Sequence, residues 1–409
     1  MTELRVTVRN TSQDGGTFLT PTYVGFHDGS FDIFETGEAA SAGLEMLAED
    51  GDAGGLTSER LAADADSQGL MVIGAAGPIA TQEMTSARIN VDGASNGFVS
   101  LAAMILPSND AFIGTDDAVQ LFSNSGRFLG EQTVTFSGED VYDAGTEVNT
   151  ELDAAFINQT GPNTGIDENG VVRPHDGFNG SVGNPEGEGD QIILGGTNAF
   201  GNEITDAADF TREGAEVAVV HINTVKDHQG TEGSDFIFGR RDDDIIDGGD
   251  GADFLRGGRG WDVIDGGDGN DIIRGSKGDD ILNGSAGNDW ISGGRDNDVI
   301  DGGSGDDWIS GGRGNDMIKG GAGYDVLRGG RGDDQFYFGD GDGHDKILDF
   351  KLGEDKIILQ LAEVNSFEDV LESAEQGRRG VELDFGDGDA LYLRNVDIDD
   401  LSALDFMFA

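Results

Sequence analysis

From residue 230 to residue 337 the chain repeats every nine residues, and no other feature restricts its fold as tightly. The unit is Gly-Gly-x-Gly-x-Asp-x-apolar-x. Its sixth position is aspartate twelve times running, at Asp235, Asp244, Asp253, Asp262, Asp271, Asp280, Asp289, Asp298, Asp307, Asp316, Asp325 and Asp334. Its eighth position is apolar each time: Ile237, Ile246, Leu255, Ile264, Ile273, Leu282, Ile291, Ile300, Ile309, Ile318, Leu327 and Phe336. A fixed register of this length marks a solenoid whose repeats bury one another. A Gly/Asp-rich linker would have no reason to hold an apolar residue at every ninth place.

The chemistry of the unit follows from its residues. Six positions make a turn and three make a short strand. Glycine at the second and fourth positions permits backbone angles closed to other residues, which turns carbonyl oxygens toward one point. The sixth position adds a carboxylate. Calcium is a hard cation that takes about six to eight oxygen ligands. One turn cannot supply them, but two turns stacked at the ~4.8 Å strand spacing can. A full coil takes two nonapeptides, so turns 18 residues apart stack, and Asp235 faces Asp253 as Asp244 faces Asp262. Without metal the carboxylates repel along each edge, and the glycine-rich turns gain much entropy on unfolding. One apolar position in nine makes a thin core. The expectation is a parallel β-roll that is folded with several bound Ca2+ ions and unfolded without them, with the twelve aspartates as metal ligands in a structural role.

Some repeats depart from the pattern. Thr231, Arg240, Asp242, Ser276, Ser285 and Asp296 stand where glycine is expected, and sites near Asp244 are expected to be the weakest. The seventh positions form two series. One side carries Phe236, Phe254, Ile272, Trp290, Trp308 and Val326, and the other Ile245, Val263, Ile281, Val299, Met317 and Gln335. The aromatic series is expected to stack on one outward face, either as ordinary outer-strand packing or to dock the N-terminal domain, the tail or a partner.

The net charge is −55 over 409 residues, and the acid excess is spread: −29 over 1–229, −13 over 230–337 and −13 over 338–409. Such a chain is repelled by nucleic acid and by anionic lipid, and multivalent cations are its natural counter-charge. Zero cysteines exclude disulfides, thiolate metal sites and cysteine nucleophiles. No stretch approaches the ~18 apolar residues of a membrane span, and residues 1–10 show no apolar core of an N-terminal secretion signal.

The nonapeptide array resembles the RTX, or hemolysin-type, calcium-binding proteins. That resemblance covers about a quarter of the chain and implies a secreted, extracellular or cell-surface protein exported by type I secretion machinery through an uncleaved C-terminal signal. The acidic, apolar ending at 400–409, with Phe406 and Phe408, looks like such a signal. Low cytosolic calcium would leave the roll unfolded for export, since extracellular sites of this kind work near about 10⁻⁴–10⁻³ M.

Residues 1–226 read as an all-β domain. Leu4, Val6 and Val8 alternate with polar residues, as do Ile89 and Val91. Segments 97–106, 134–136 and 217–222 read as further strands, 36–50 as helical, 158–190 as a long loop and 223–229 as a polar linker. Three stretches resemble the spondin N-terminal domain: Ala40-Ser41-Ala42-Gly43-Leu44-Glu45-Met46-Leu47-Ala48-Glu49-Asp50-Gly51, Met104-Ile105-Leu106-Pro107-Ser108-Asn109-Asp110-Ala111-Phe112-Ile113-Gly114, and Asp143-Ala144-Gly145-Thr146-Glu147. The resemblance implies an antiparallel β-sandwich with calcium-binding loops at one end, and it places the ligands at Asp110, Asp143 and Glu147. Glu147 stands where the animal members have aspartate. Three acids on two loops are a minimal hard-cation site; the plainer alternative is solvated loop acids with aspartate turn chemistry.

After Phe338 the nine-residue register breaks. Ser366 and Asp369 suggest a capped helix reaching Gln376, and 381–385 with 391–393 suggest a hairpin, so 338–409 reads as a small mixed α/β cap. No metalloprotease, nucleophile-elbow or phosphate-loop motif occurs, and His27, His175, His221, His228 and His344 are scattered. The reading is a non-enzymatic calcium-binding protein: a sandwich at 1–226 that binds an extracellular glycan, matrix or cell-surface ligand, and a roll at 227–337 that serves folding and export. The alternatives are an extracellular hydrolase with an unrecognised active site, for which His27-Asp28 near Ser30 is the one hint, and a surface-layer or biofilm structural protein.

Overall fold

The computed structural model describes all residues except 13–17, 75–78, 81–82, 107–110, 145–171, 175–215, 363, 387 and 409. The loop read at 158–190 therefore falls almost wholly outside the described residues, as do Asp110, Glu147 and His175. The chain divides into two compact units, Met1–Thr224 and Val225–Ala409. Among the described residues no helix is long and apolar enough to cross a membrane.

The first unit is an antiparallel sandwich. Leu4, Val6 and Val8 lie fully buried along strand Thr2–Asn10, which pairs with Met84–Val91 on one side and with the first half of Glu216–Thr231 on the other. Gln132–Ser137 adds the outer strand. The second sheet has Phe98–Leu106 at its centre, flanked by Thr22–His27 and Ala111–Gly114. Gln68–Val72 and Val141–Asp143 extend it. Leu4, Val6, Val8, Val220 and Ile222 from the first sheet meet Val24, Phe26, Leu101 and Ala103 from the second in one core.

The second sheet is buried on its other face too, where Tyr23, Ala102 and Phe112 pack with Leu44, Leu47 and Leu56 from two helices. Burial on both faces is why 98–106 is an almost unbroken apolar run. The expected helix at 36–50 begins only at Ala42, where Ser41 Oγ accepts the Leu44 N–H at 3.1 Å, and stops at Gly51 with φ 68°. The second helix, Gly54–Ala63, carries no start signal: it opens on two glycines after Ala53, which has no capping side chain.

The segment 223–229 is not a linker. It lies inside strand Glu216–Thr231, whose later residues pair in parallel with Asp243–Gly249, Val225 opposite Asp243. The roll's first rung thus starts in this strand. From there each 18-residue coil adds one strand to each of two parallel sheets. One sheet stacks Phe236–Phe238, Phe254–Arg256, Ile272–Arg274, Trp290–Arg295, Trp308–Arg313 and Val326–Arg331. The other stacks Asp243–Gly249, Val263–Asp265, Ile281–Asn283, Val299–Ser304, Met317–Ala322 and Gln335–Gly339. The eighth-position residues from Ile246 to Phe336 fill the space between the sheets as a single file, all buried. Ile237, on the end rung, is only partly buried.

The tail continues this pattern more fully than its sequence suggests. His344–Ile347 and then Asp389–Arg394 extend the first sheet, while Lys356–Gln360 and then Phe406–Phe408 extend the second, all in parallel. The helix spans Phe367–Ser373, with Ser366 Oγ capping Asp369 N–H. It ends short of the expected Gln376, because Ala374–Gln376 instead pairs with Gly380–Gly386. The expected hairpin is present between Gly380–Gly386 and Asp389–Arg394. The fold is all-β, a sandwich followed by a parallel β-roll with a small α/β tail.

Candidate metal centre

The roll's turns form two ladders, and aspartate joins their rungs. Asp253 Oδ1 accepts the Asp235 N–H at 2.7 Å on one edge, and Asp262 Oδ1 accepts the Asp244 N–H at 2.8 Å on the other. The bond recurs down both edges to Asp334 Oδ1 on the Asp316 N–H at 3.1 Å. This is the stacking that the 18-residue spacing implies.

The second carboxylate oxygen behaves differently. Oδ2 of Asp253, Asp271, Asp280, Asp289, Asp298, Asp307, Asp325 and Asp334 is buried and has no hydrogen-bond partner among the described residues. A buried ionised oxygen without a donor is costly unless a cation answers it. Burial accordingly drives the carboxyls of Asp253, Asp271, Asp280, Asp289, Asp298, Asp307, Asp325 and Asp334 upward, with neighbouring aspartates adding to the effect. Asp289 and Asp307 rise to about 7, Asp298 to about 9, and Asp280 well above the ordinary carboxyl range.

The first glycine of each unit explains what the oxygens face. A Cβ on Gly266 would meet Asp271 Oδ2 at 2.5 Å and the Gly284 carbonyl oxygen at 2.8 Å. A carboxylate oxygen from one turn and a carbonyl oxygen from the next therefore border the same small space. At Gly257, Gly275, Gly293, Gly311 and Gly329 a Cβ would run into the Oδ2 of the aspartate five residues on. That is a reason for glycine beyond backbone freedom: the first position is glycine in all twelve repeats. An oxygen-only donor set with buried charge fits a hard cation such as calcium. Among the described residues no three acidic, histidine or cysteine side chains gather into one metal cluster. In this architecture each turn contributes one carboxylate, and carbonyl groups are its neighbours.

The ends of the ladders differ from the middle. Asp235 Oδ2 accepts from the N–H and hydroxyl of Thr231. Asp244 is bonded through Oδ1 to His228 Nε2 and through Oδ2 to the Arg240 N–H, each at 2.8 Å. Both are engaged by protein donors, at the end where the repeat departs furthest from its pattern.

At the other end the structure adds residues that the nine-residue register misses. Asp345 Oδ1 accepts the Asp325 N–H at 3.0 Å, its Oδ2 is unpartnered, and burial raises its carboxyl to about 8. Asp355 accepts the Asp334 N–H at 3.0 Å and the Lys351 N–H at 2.8 Å. Asp389 accepts from Gly341 and Gly343, and Asp405 from Gly353 and Ser402. Protein donors thus satisfy both oxygens of Asp355, Asp389 and Asp405 at this end, unlike Oδ2 of the internal aspartates Asp271, Asp280, Asp289, Asp298, Asp307, Asp325 and Asp334. A signal for two of the added residues was present: Gly343-His344-Asp345-Lys346-Ile347 and Gly353-Glu354-Asp355-Lys356-Ile357 keep the Gly-x-Asp-x-apolar half of the unit.

Three of the flagged departures occupy the left-handed region that glycine favours: Ser276 at φ 95°, Ser285 at 70° and Asp296 at 74°. In the sandwich, the backbone of Asp143 pairs with Ala111, the neighbour of Asp110 in sequence. Nothing further is described for the trio Asp110, Asp143 and Glu147.

His27 is fully buried, and its Nε2 lies 3.0 Å from Ser100 Oγ, not Ser30. The Gly29 N–H donates to its Nδ1 at 3.1 Å, so the ring proton sits on Nε2 and faces the serine. A base for a serine nucleophile needs the opposite tautomer. Burial also lowers its pKa and keeps the ring neutral.

Two family models match the chain. Residues 17–169 match Spondin_N. The RTX calcium-binding nonapeptide repeat matches four times, at 229–264, 256–291, 283–318 and 310–344. No curated protein matches. Among solved structures, the extracellular lipase LipA from Serratia marcescens is similar at 19% identity over 46% of this chain and 42% of the lipase, with a TM-score of 0.22. The chain thus spans less than half of that lipase's length. The AlgE6R3 subunit of the Azotobacter vinelandii mannuronan C5-epimerase is similar at 22% identity over 44% of this chain and 81% of that subunit, with a TM-score of 0.21. The two family matches establish a spondin-type segment followed by calcium-binding repeats.

Proposed function

We propose that this chain, a Spondin_N segment joined to RTX calcium-binding nonapeptide repeats, is a secreted, non-enzymatic protein that completes its folding when it meets extracellular calcium. The observation that carries the reading is the set of buried, unpartnered Oδ2 oxygens of Asp253, Asp271, Asp280, Asp289, Asp298, Asp307, Asp325, Asp334 and Asp345. Calcium is the ion these turns take, and Asp253 to Asp334, with Asp345, are its carboxylate ligands. Asp235 and Asp244 contribute least, since protein donors already engage Oδ2 of Asp235 and both oxygens of Asp244.

The roll serves folding and type I export, and the sandwich, with calcium at Asp110, Asp143 and Glu147, binds an extracellular glycan, matrix component or cell surface. The buried, wrong-tautomer His27 supports the absence of serine-hydrolase chemistry at the one place the sequence hinted at it.

The test is a glycan and lipid binding screen of the full-length chain in millimolar calcium and in chelator, alongside turnover of ester, glycan and peptide substrates. Calcium-dependent binding without turnover is expected. Calcium-dependent hydrolysis would overturn the non-enzymatic reading, and calcium-dependent growth of light scattering would favour a self-assembling surface protein.

A further inference from the structure

In a chain of net charge −55, the basic residues of the roll are not scattered. Segment 230–337 holds eleven, and ten of them belong to one sheet and the turns that follow it; the exception is Lys319. The third position of those turns is basic at every rung: Arg241, Arg259, Lys277, Arg295, Arg313 and Arg331. On the opposite edge the same position reads Glu232, Asp250, Asp268, Ala286, Ser304 and Ala322. The parallel register stacks these cations, Arg295 beside Arg313 and Arg313 beside Arg331, one per ~4.8 Å of roll.

The stacking has consequences for the fold and for what lies outside it. Like charges held at that spacing repel and do not help the roll fold. Arg259, Lys277, Arg295, Arg313 and Arg331 make no ion pair among the described residues, and all but the half-buried Lys277 are exposed.

The outward face of the same sheet supplies a second kind of contact. Trp290 and Trp308 stand side by side, 56% and 47% exposed, with Ser292 and Ser310 in the adjacent row. The tail does not cover them; its strands extend the sheet edgewise. Two hollows mark the face. One, of about 500 Å³, is bordered by Arg240, Arg241, Arg256, Arg259, Lys277 and Arg295. The other, of about 510 Å³, is bordered by Trp290, Trp308, Ser292, Ser310 and Arg394, and by Arg328, which is paired with Asp349 at its edge.

We infer that this face binds an acidic polysaccharide along the axis of the roll. Guanidinium groups pair with carboxylate or sulfate, indole rings take the apolar C–H faces of sugar rings, and serine hydroxyls meet sugar hydroxyls. The rung spacing is close to the length of one ring in an extended glycan. A single flexible chain can lie along the cation row, whereas a broad anionic membrane would also confront the acidic faces of this protein. The site lies on the roll and does not depend on what the sandwich binds.

The test is titration of the full-length chain, in millimolar calcium, with oligogalacturonate too short to gel. Maltooligosaccharide, oligothymidylate and phosphatidylglycerol vesicles serve as comparison probes. Oligogalacturonate should bind best and should weaken as salt rises. Replacing four cations together (Arg259→Gln, Arg295→Gln, Arg313→Gln and Arg331→Gln) should weaken it by about tenfold or more. Replacing the same four by lysine should retain most binding, and Lys319→Gln should change nothing. Trp290→Ala with Trp308→Ala, which leaves the turns intact, should also weaken it several-fold. Absence of binding would overturn the proposal. So would preference for any comparison probe, or full binding by a glutamine variant with wild-type circular dichroism, the mark of calcium bridging to the acidic faces.

Discussion

Each internal ladder aspartate divides its work: Oδ1 holds the N–H of the turn 18 residues earlier, and Oδ2 faces the space that glycine keeps open. Substitutions on either side of that space should separate the two roles. Gly275→Ala would place a methyl against Asp280 Oδ2. It should raise the calcium concentration at half-folding and cost about 1–3 kcal/mol in a calcium-saturated melt. Gly233→Ala, which meets nothing within 4 Å, should shift neither by more than about 0.5 kcal/mol. Ser276, held at φ 95°, is strained in the opposite sense. Ser276→Gly should stabilise the calcium-loaded roll by about 1 kcal/mol, read from the urea midpoint.

At the scale of elements, each three-residue strand buries one side chain, so the file of eighth-position residues carries the roll's hydrophobic stability. Ile291→Ala, fully buried, should cost about 2–5 kcal/mol in calcium, while Ile281→Ala on the outward face should cost much less; thermal melts would separate them. This single-file core is why the roll was legible in the sequence: a period with one buried position per strand leaves no ambiguity of register. The tail was less legible because loops of two and three extra residues set Asp345 and Asp355 at 20 and 21 residues from their partners, which hides a ladder that continues. Asp389 and Asp405 gave no signal, since a hairpin and a terminal strand bring them in without the repeat's glycines. The strand through 223–229 looked like a linker because Lys226, Asp227 and His228 are polar, yet their backbone pairs with the first full rung. Helix Gly54–Ala63 was hidden by its glycine start, and its place is fixed by packing of Leu56.

For the whole molecule, −55 charges make proton and calcium rivals for the same oxygens. Without metal the ladder carboxyls hold protons more tightly folded than unfolded: about 6 for Asp325 and Asp334, about 7 for Asp289 and Asp307, about 8 for Asp345 and about 9 for Asp298. Their contribution is complete below the unfolded value of about 3.9 and is lost as pH rises through about 6 to 9. In chelator the roll should therefore show more structure by circular dichroism at pH 5.5 than at pH 8.5, where it is unfolded. In calcium the order should reverse, because the metal binds the ionised form. The same trend in both would show that these oxygens do not hold the metal.

The most direct test follows hydrogen exchange along the full-length chain. In millimolar calcium, amides across 253–334 should exchange slowly. In chelator at neutral pH they should exchange at the rates of an unfolded chain, while the core strands of the sandwich, such as Thr2–Asn10 and Phe98–Leu106, stay protected. Equal protection of 253–334 in both conditions would contradict the claim that calcium folds the roll.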